Sequence, residues 1–181
     1  PISPRQKMIN LMYVVLMAML ALNISTEVLN GFSIVEESLN RTTSNSSKEN
    51  ESIYSDFLEQ MKTNPEKVKA WFDKATMVKQ MSDSLYNYAQ SLKEQIVKEA
   101  DGYDADLNNI VGKDNLEAAA HVMLAPGTGQ GKKLYDAINS YRERILKMVN
   151  DDHQRQLIAE NLSTKIPKKG NALGKNWQEY M

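Results

Sequence analysis

Residues 8–24, MINLMYVVLMAMLALNI, form an almost unbroken apolar run near the start of a chain whose mean hydropathy is only -0.52. With its flanks the run reaches about 20 residues. At about 1.5 Å of rise per residue, a helix of that length crosses a hydrocarbon core of roughly 30 Å. The expected plan is therefore one membrane helix attached to a water-soluble body. A helix start is written just ahead of the run, with Ser3 as N-cap, Pro4 in the first position and Gln6 completing a capping box. Arg5 and Lys7 lie on the near side, Glu27, Glu36 and Glu37 on the far side, and no basic residue follows before Arg41. The positive-inside rule then puts residues 1–7 in the cytoplasm, the span over 8–29, and 30–181 across the membrane. A cleaved signal peptide shares the basic start and apolar middle. The small-x-small cleavage pattern is missing around Ala18 to Ser25, and helical periodicity continues past the run, which favours an uncleaved anchor.

The polar residues of the span are not scattered. At about 100° per residue, Arg5, Tyr13, Asn23 and Glu27 fall within about 80° of one another, with Asn10 about 60° further round. Leu11, Val14, Val15, Ala18, Met19 and Leu22 make an all-apolar opposite face. Amides and phenols facing lipid lose water without a replacement partner, so a polar side suggests packing against other membrane helices. Placement of Asn10 and Asn23 at headgroup depth is the plainer alternative; Tyr13 lies deeper. The apolar centre holds no Asp, Glu, Lys or His. A titrating group for ion movement would thus come from a partner chain, with Arg5 as a fixed cation.

The remaining chain reads as helical throughout. Val28, Phe32, Val35 and Leu39 keep a 4-3-4 spacing that carries the membrane helix onward without a hinge, Gly31 being its weak point. Residues 40–50, NRTTSNSSKEN, are the most polar stretch and read as a turn or loop, followed by a short helix with Ile53, Phe57 and Met61 on one side. Asn64 caps and Pro65 opens a long helix with Val68, Trp71, Ala75, Val78, Leu85, Ala89, Leu92 and Ile96 in a heptad pattern broken at Ser82, stopping at Gly102. A loop over 102–113, a short Ala-rich helix from Asp114 to before Pro126, a helix marked by Leu134, Ile138, Tyr141, Ile145 and Met148, and a last one with Leu157, Ile158 and Leu162 ending at Pro167 complete the reading. No alternating strand pattern is present. The expected fold is all-α: a single N-terminal transmembrane helix continuing into an elongated helical bundle.

Composition narrows the chemistry. The chain has 181 residues, a net charge of -1 and no Cys, which excludes disulfides and thiolate sites and argues against non-specific nucleic-acid binding. The stretch 125–133, APGTGQGKK, looks like a phosphate loop but fails: Pro126 stands at the first Gly position, and Lys133 where Ser or Thr should coordinate magnesium. It reads instead as a helix-helix connection. His121 and His153 lie on separate helices without metal-ligand spacing. The Asp residues at 101, 104, 106, 151 and 152 read as solvated helix ends. Five Asn-x-Ser/Thr triplets, at Asn23, Asn40, Asn45, Asn50 and Asn161, read as incidental. No catalytic residues, metal, cofactor or small-molecule substrate are expected, so the chain is not read as an enzyme. A start at Pro1 without initiator Met suggests a fragment.

The motif Ser3-Pro4-Arg5-Gln6-Lys7-Met8-Ile9-Asn10-Leu11-Met12-Tyr13, followed by Ala18 to Asn23 and Val28 to Phe32, resembles the N-terminus of the GldM/PorM family. These are inner-membrane components of the type IX secretion and gliding machinery of Bacteroidetes. The helical stretch ending in Asn176-Trp177 looks like the family's first periplasmic domain. The resemblance implies a homodimer whose two membrane helices sit inside a pentamer of the GldL/PorL-like membrane subunit. Proton flow there would drive rotation that the periplasmic part transmits toward further periplasmic and outer-membrane components. Arg5 is implied to pair with a membrane-embedded Glu of the partner, and Tyr13 to line the same interface. The rival readings are a membrane-anchored sensor or adaptor ectodomain, which needs a second span and a signalling domain downstream, and a static scaffold.

Overall fold

The computed structural model of the chain describes residues 3–22, 26–167, 171 and 173–180, and every regular element among them is a helix. The first, α1 (Pro4–Leu22), begins where the sequence predicts. The Ser3 hydroxyl accepts the Gln6 N–H at 3.3 Å and the Ser3 carbonyl accepts the Lys7 N–H at 3.1 Å. Leu, Met and Ala then carry the helix forward. The expected span over 8–29 crosses residues 23–25, which lie outside the described residues, as does the continuity expected there. Among the described residues no helix is long and apolar enough to cross a membrane. Within α1 the stretch from Met8 to Leu22 gives an apolar length of about 22 Å.

The second helix, α2 (Thr26–Thr63), corrects the sequence reading. Residues 40–50 are helical rather than a turn, and the short helix expected after them is the last part of α2. Each Ser, Thr or Asn there costs about 0.5 kcal/mol relative to Ala. Propagating an existing helix needs only one bond per residue fixed, so strong helix on both sides carries the weak stretch. The Thr42 hydroxyl donates to the Ser38 carbonyl at 2.9 Å, one of the local bonds such residues make within a helix.

Asn64 joins α2 to α3 (Pro65–Asp101) through its backbone: its N–H closes on the Gln60 carbonyl at 2.8 Å and its carbonyl accepts from Val68 at 3.3 Å. Its side chain makes no cap bond, contrary to the expectation. Gly102 ends α3 as predicted, at φ 95, a left-handed value that Gly adopts without strain, with its N–H on the Lys98 carbonyl. The connection that follows is pinned by Asp101, whose carboxylate accepts the N–H groups of Val111 and Gly112 at 2.7 and 2.6 Å. Next come α4 (Leu116–Leu124), α5 (Gly131–Met148), α6 (Asp152–Asn161) and the four-residue α7 (Trp177–Tyr180). Asn115, not Asp114, caps α4 by accepting from Glu117 and Ala118. α6 ends at Asn161 rather than near Pro167. The following segment is drawn to α5 instead: Arg142 donates to the Leu162 carbonyl at 2.9 Å, and Thr164 donates to Asn139 at 3.0 Å.

The chain divides into two compact units, residues 1–49 and 50–181. In the first, every described side chain is exposed except the half-buried Leu29 and Ser33. The second holds a core at Leu92, Val97, Ala118 and Ile145, where α3 packs on α4 and α5, and α5 on α6 and α7. Tyr54 stacks on Phe72 at 5.7 Å and bonds Thr76 at 3.0 Å, which seats the end of α2 on α3. Ser82, the break in the heptads, has a partner there. Its hydroxyl donates to the Val78 carbonyl, leaving its oxygen to accept from the Tyr141 hydroxyl at 2.7 Å.

Candidate functional site

The sequence-predicted site lies on α1. Arg5, Asn10 and Tyr13 all stand on this one helix and are exposed, Tyr13 at 64%. At about 100° per residue Arg5 and Tyr13 stand about 80° apart, with Asn10 about 60° beyond Tyr13, so the three share one broad side of the helix. Asn23 lies outside the described residues. Sequence reasoning missed Gln6 as a member of this side. Its carboxamide, expected to fold back on the N-cap, instead donates to the Asn10 oxygen at 3.1 Å. The signal was the i,i+4 spacing of two amides, a pair that holds side chains together on a helix surface. The result is a polar side of Arg5, Gln6, Asn10 and Tyr13 on a helix that is apolar elsewhere from Met8 onward.

The rest of that cylinder is open. Met8, Leu11, Met12, Val14, Val15, Leu16, Met17, Met19 and Leu20 are all largely exposed, so α1 finds no core in its own unit. The ridge of Val28, Phe32, Val35 and Leu39 on α2 is exposed as well. Exposed apolar surface on this scale is a surface for lipid or for other chains. The amides, the phenol and the guanidinium on one side of α1 supply donors and acceptors to a neighbouring helix.

The other candidate positions have structural partners. Residues 125–130 form the tight connection between α4 and α5 that the sequence suggests, with the Gly129 N–H on the Ala125 carbonyl at 2.7 Å. At Gly131 an added Cβ would stand 2.7 Å from Gln178, so this glycine lets the C-terminal segment close over the start of α5. Trp177 then packs on Tyr135 at 5.7 Å. Lys132 bonds Asp136 along α5. His121 Nδ1 lies 2.7 Å from a Glu99 oxygen, bridging α4 to α3, while His153 is exposed on α6. Among the described residues no three His, Asp or Glu side chains gather as a metal set would require. A shallow groove between α3 and α5, lined by Met81, Leu85, Tyr88, Ala137, Tyr141 and Arg144, raises the Tyr88 hydroxyl above its ordinary pKa by burial.

The sequence pattern of the GldM N-terminal domain matches residues 27–181, most of the chain and all of the self-packed unit. The chain belongs to the GldM N-terminal domain family. Family membership places it in the gliding and type IX secretion machinery, in a family associated with the inner membrane. The match begins after α1, so Arg5, Asn10, Tyr13 and Asn23 precede it. A comparison with curated proteins finds no match.

Proposed function

We propose that this chain is the axle-like subunit of a proton-motive-force-driven inner-membrane motor that powers type IX secretion, gliding or both. In this reading residues 1–7 are cytoplasmic, 8–29 span the membrane once, and 30–181 form the periplasmic domain. Two copies insert their membrane helices into a pentamer of a GldL/PorL-like subunit, and further periplasmic and outer-membrane components receive the motion. The role is mechanical and not enzymatic. The observation that supports it most is α1 itself: a largely apolar helix, exposed from Ser3 to Leu20, with one polar side that carries the fixed charge of Arg5.

A membrane-embedded carboxylate of the partner would titrate opposite Arg5. Attraction to a permanent guanidinium holds such a group in its charged form. Moving it past Arg5 would therefore couple protonation to angle, while Tyr13, Asn10 and Asn23 give the helix a side by which to be held. Arg5→Ala is expected to abolish secretion and gliding while leaving the complex assembled, because a positioned charge is lost with little packing. Normal output from that variant refutes the role. Co-purification with the partner, followed by cryo-electron microscopy, decides the arrangement. A partner ring around this helix, with Arg5 facing a carboxylate, supports the motor. A homodimer alone points to a sensor or a static scaffold.

A further inference from the structure

The apolar ridge of α2 stops and resumes. In the sequence the heptad register of Val28, Phe32, Val35 and Leu39 is taken up again by Ile53 and Phe57, since Leu39 and Ile53 are two heptads apart. Across that gap the same line is occupied by Thr42, Ser46 and Asn50. Eight of the eleven residues from Asn40 to Asn50 are Ser, Thr or Asn, and all eleven are exposed. Two independent features thus coincide: the residues are weak helix formers, and nothing buried holds them in place. Their own hydroxyls and amides offer the backbone alternative partners, as Thr42 shows by bonding the Ser38 carbonyl. The flanks differ from it in having apolar residues to offer a partner: Val28, Phe32, Val35 and Leu39 stand exposed on one side, and on the other Phe57 is half-buried beside Tyr54, which α3 holds. The division between the two compact units also falls within this stretch, after Glu49.

We infer that residues 40–50 are a yielding segment of α2, helical at rest and opening locally under load while the ridges on both sides stay formed. Local opening proceeds from elements with few buried contacts and exposed backbone hydrogen bonds, and this segment has both properties. A subunit driven in steps and loaded at its far end would store part of each step there as reversible loss of helix. This rests on the motor reading for its purpose, though not for its physical behaviour.

Hydrogen exchange read by mass spectrometry on the full protein, assembled with its partner in lipid nanodiscs, tests the behaviour. Peptides within 40–50 are expected to exchange at least tenfold faster than those covering 28–39 and 53–63. Equal protection overturns the inference, because a partner would then be holding the segment closed. A stiffened variant tests the purpose. Ser44→Ala, Asn45→Ala and Ser47→Ala together raise helix propensity away from the line of Thr42, Ser46 and Asn50. This variant is expected to assemble, to slow exchange in the segment about tenfold, and to lower secretion several-fold. Full secretion from a variant shown to be stiffened overturns the mechanical role. Fast exchange in a complex that never turns would instead refute the motor reading, which keeps the two failures apart.

Discussion

Leu92 on α3 is 3% exposed and Leu11 on α1 is 64% exposed, although each belongs to a regular helix with apolar residues on its face. The unit of residues 50–181 finds its core within its own sequence, where α3, α4 and α5 bury Leu92, Val97, Ala118 and Ile145 against one another. The unit of residues 1–49 leaves its apolar side chains outside. Fully burying one Leu, Val or Met side chain is worth about 1.5–3 kcal/mol. The ten large apolar side chains other than Tyr13 left open between Met8 and Leu20 are 38–71% exposed, so the stabilisation still to be gained from lipid or from other helices is on the order of 10 kcal/mol. The comparison separates a part that folds by itself from a part completed by its surroundings.

The most direct way to break that division is to place charge on the open helix. Leu11→Glu or Val15→Glu is expected to abolish assembly with the partner helices while leaving thermal unfolding of the 50–181 unit unchanged, as read by pull-down and circular dichroism. Recovery of an intact complex would show that this face is not packed. The converse change belongs in the core. Leu92→Ala removes a fully packed side chain and is expected to cost about 2–5 kcal/mol, seen as a lowered Tm of the full protein, with partner binding retained below that temperature. A drop of less than a degree would mean that α3 is not where this unit is held together.

The smallest effect sharpens the comparison by pH. Burial holds the Tyr88 hydroxyl above its ordinary value of 10.0, so the folded state keeps a proton that the unfolded chain releases. Its contribution is fully present below pH 10 and is lost as pH rises through the raised value. Tyr88→Phe should flatten the alkaline fall in Tm above pH 10 and change little at neutral pH, since its bond to Gln130 is long, at 3.5 Å.

The sequence made the self-packed unit legible through features with single physical meanings. Gly102 has the positive φ that stops α3, and the heptad positions Leu92 and Ile145 are buried where their spacing places them. Residues 40–50 misled because Ser, Thr and Asn favour turns only when the neighbouring chain is not already helical. The end of α6 depended on Thr164 reaching Asn139, a contact between residues 25 apart that no local pattern reports. A four-residue helix such as α7 is too short to show periodicity; Trp177 finds its place through Tyr135. For the candidate site, helical phase leads to Arg5, Asn10 and Tyr13 as candidates but not to the partner of Gln6, because a capping box and an i,i+4 amide pair compete for the same side chain.

The position of α3 also sets an order of events in time. α4 and α5 both pack on it, and α4 follows it after a connection whose ends Asp101 already draws together. Closing a short loop is entropically cheap, and chains dominated by near-neighbour pairings reach their transition state quickly. The unit is therefore expected to condense from α3 outward, with α7 joining last. Ala118→Gly, beneath α4, should slow refolding in stopped-flow experiments. Loss of the Trp177 ring should mainly hasten unfolding, and the reverse pattern would place the nucleus elsewhere.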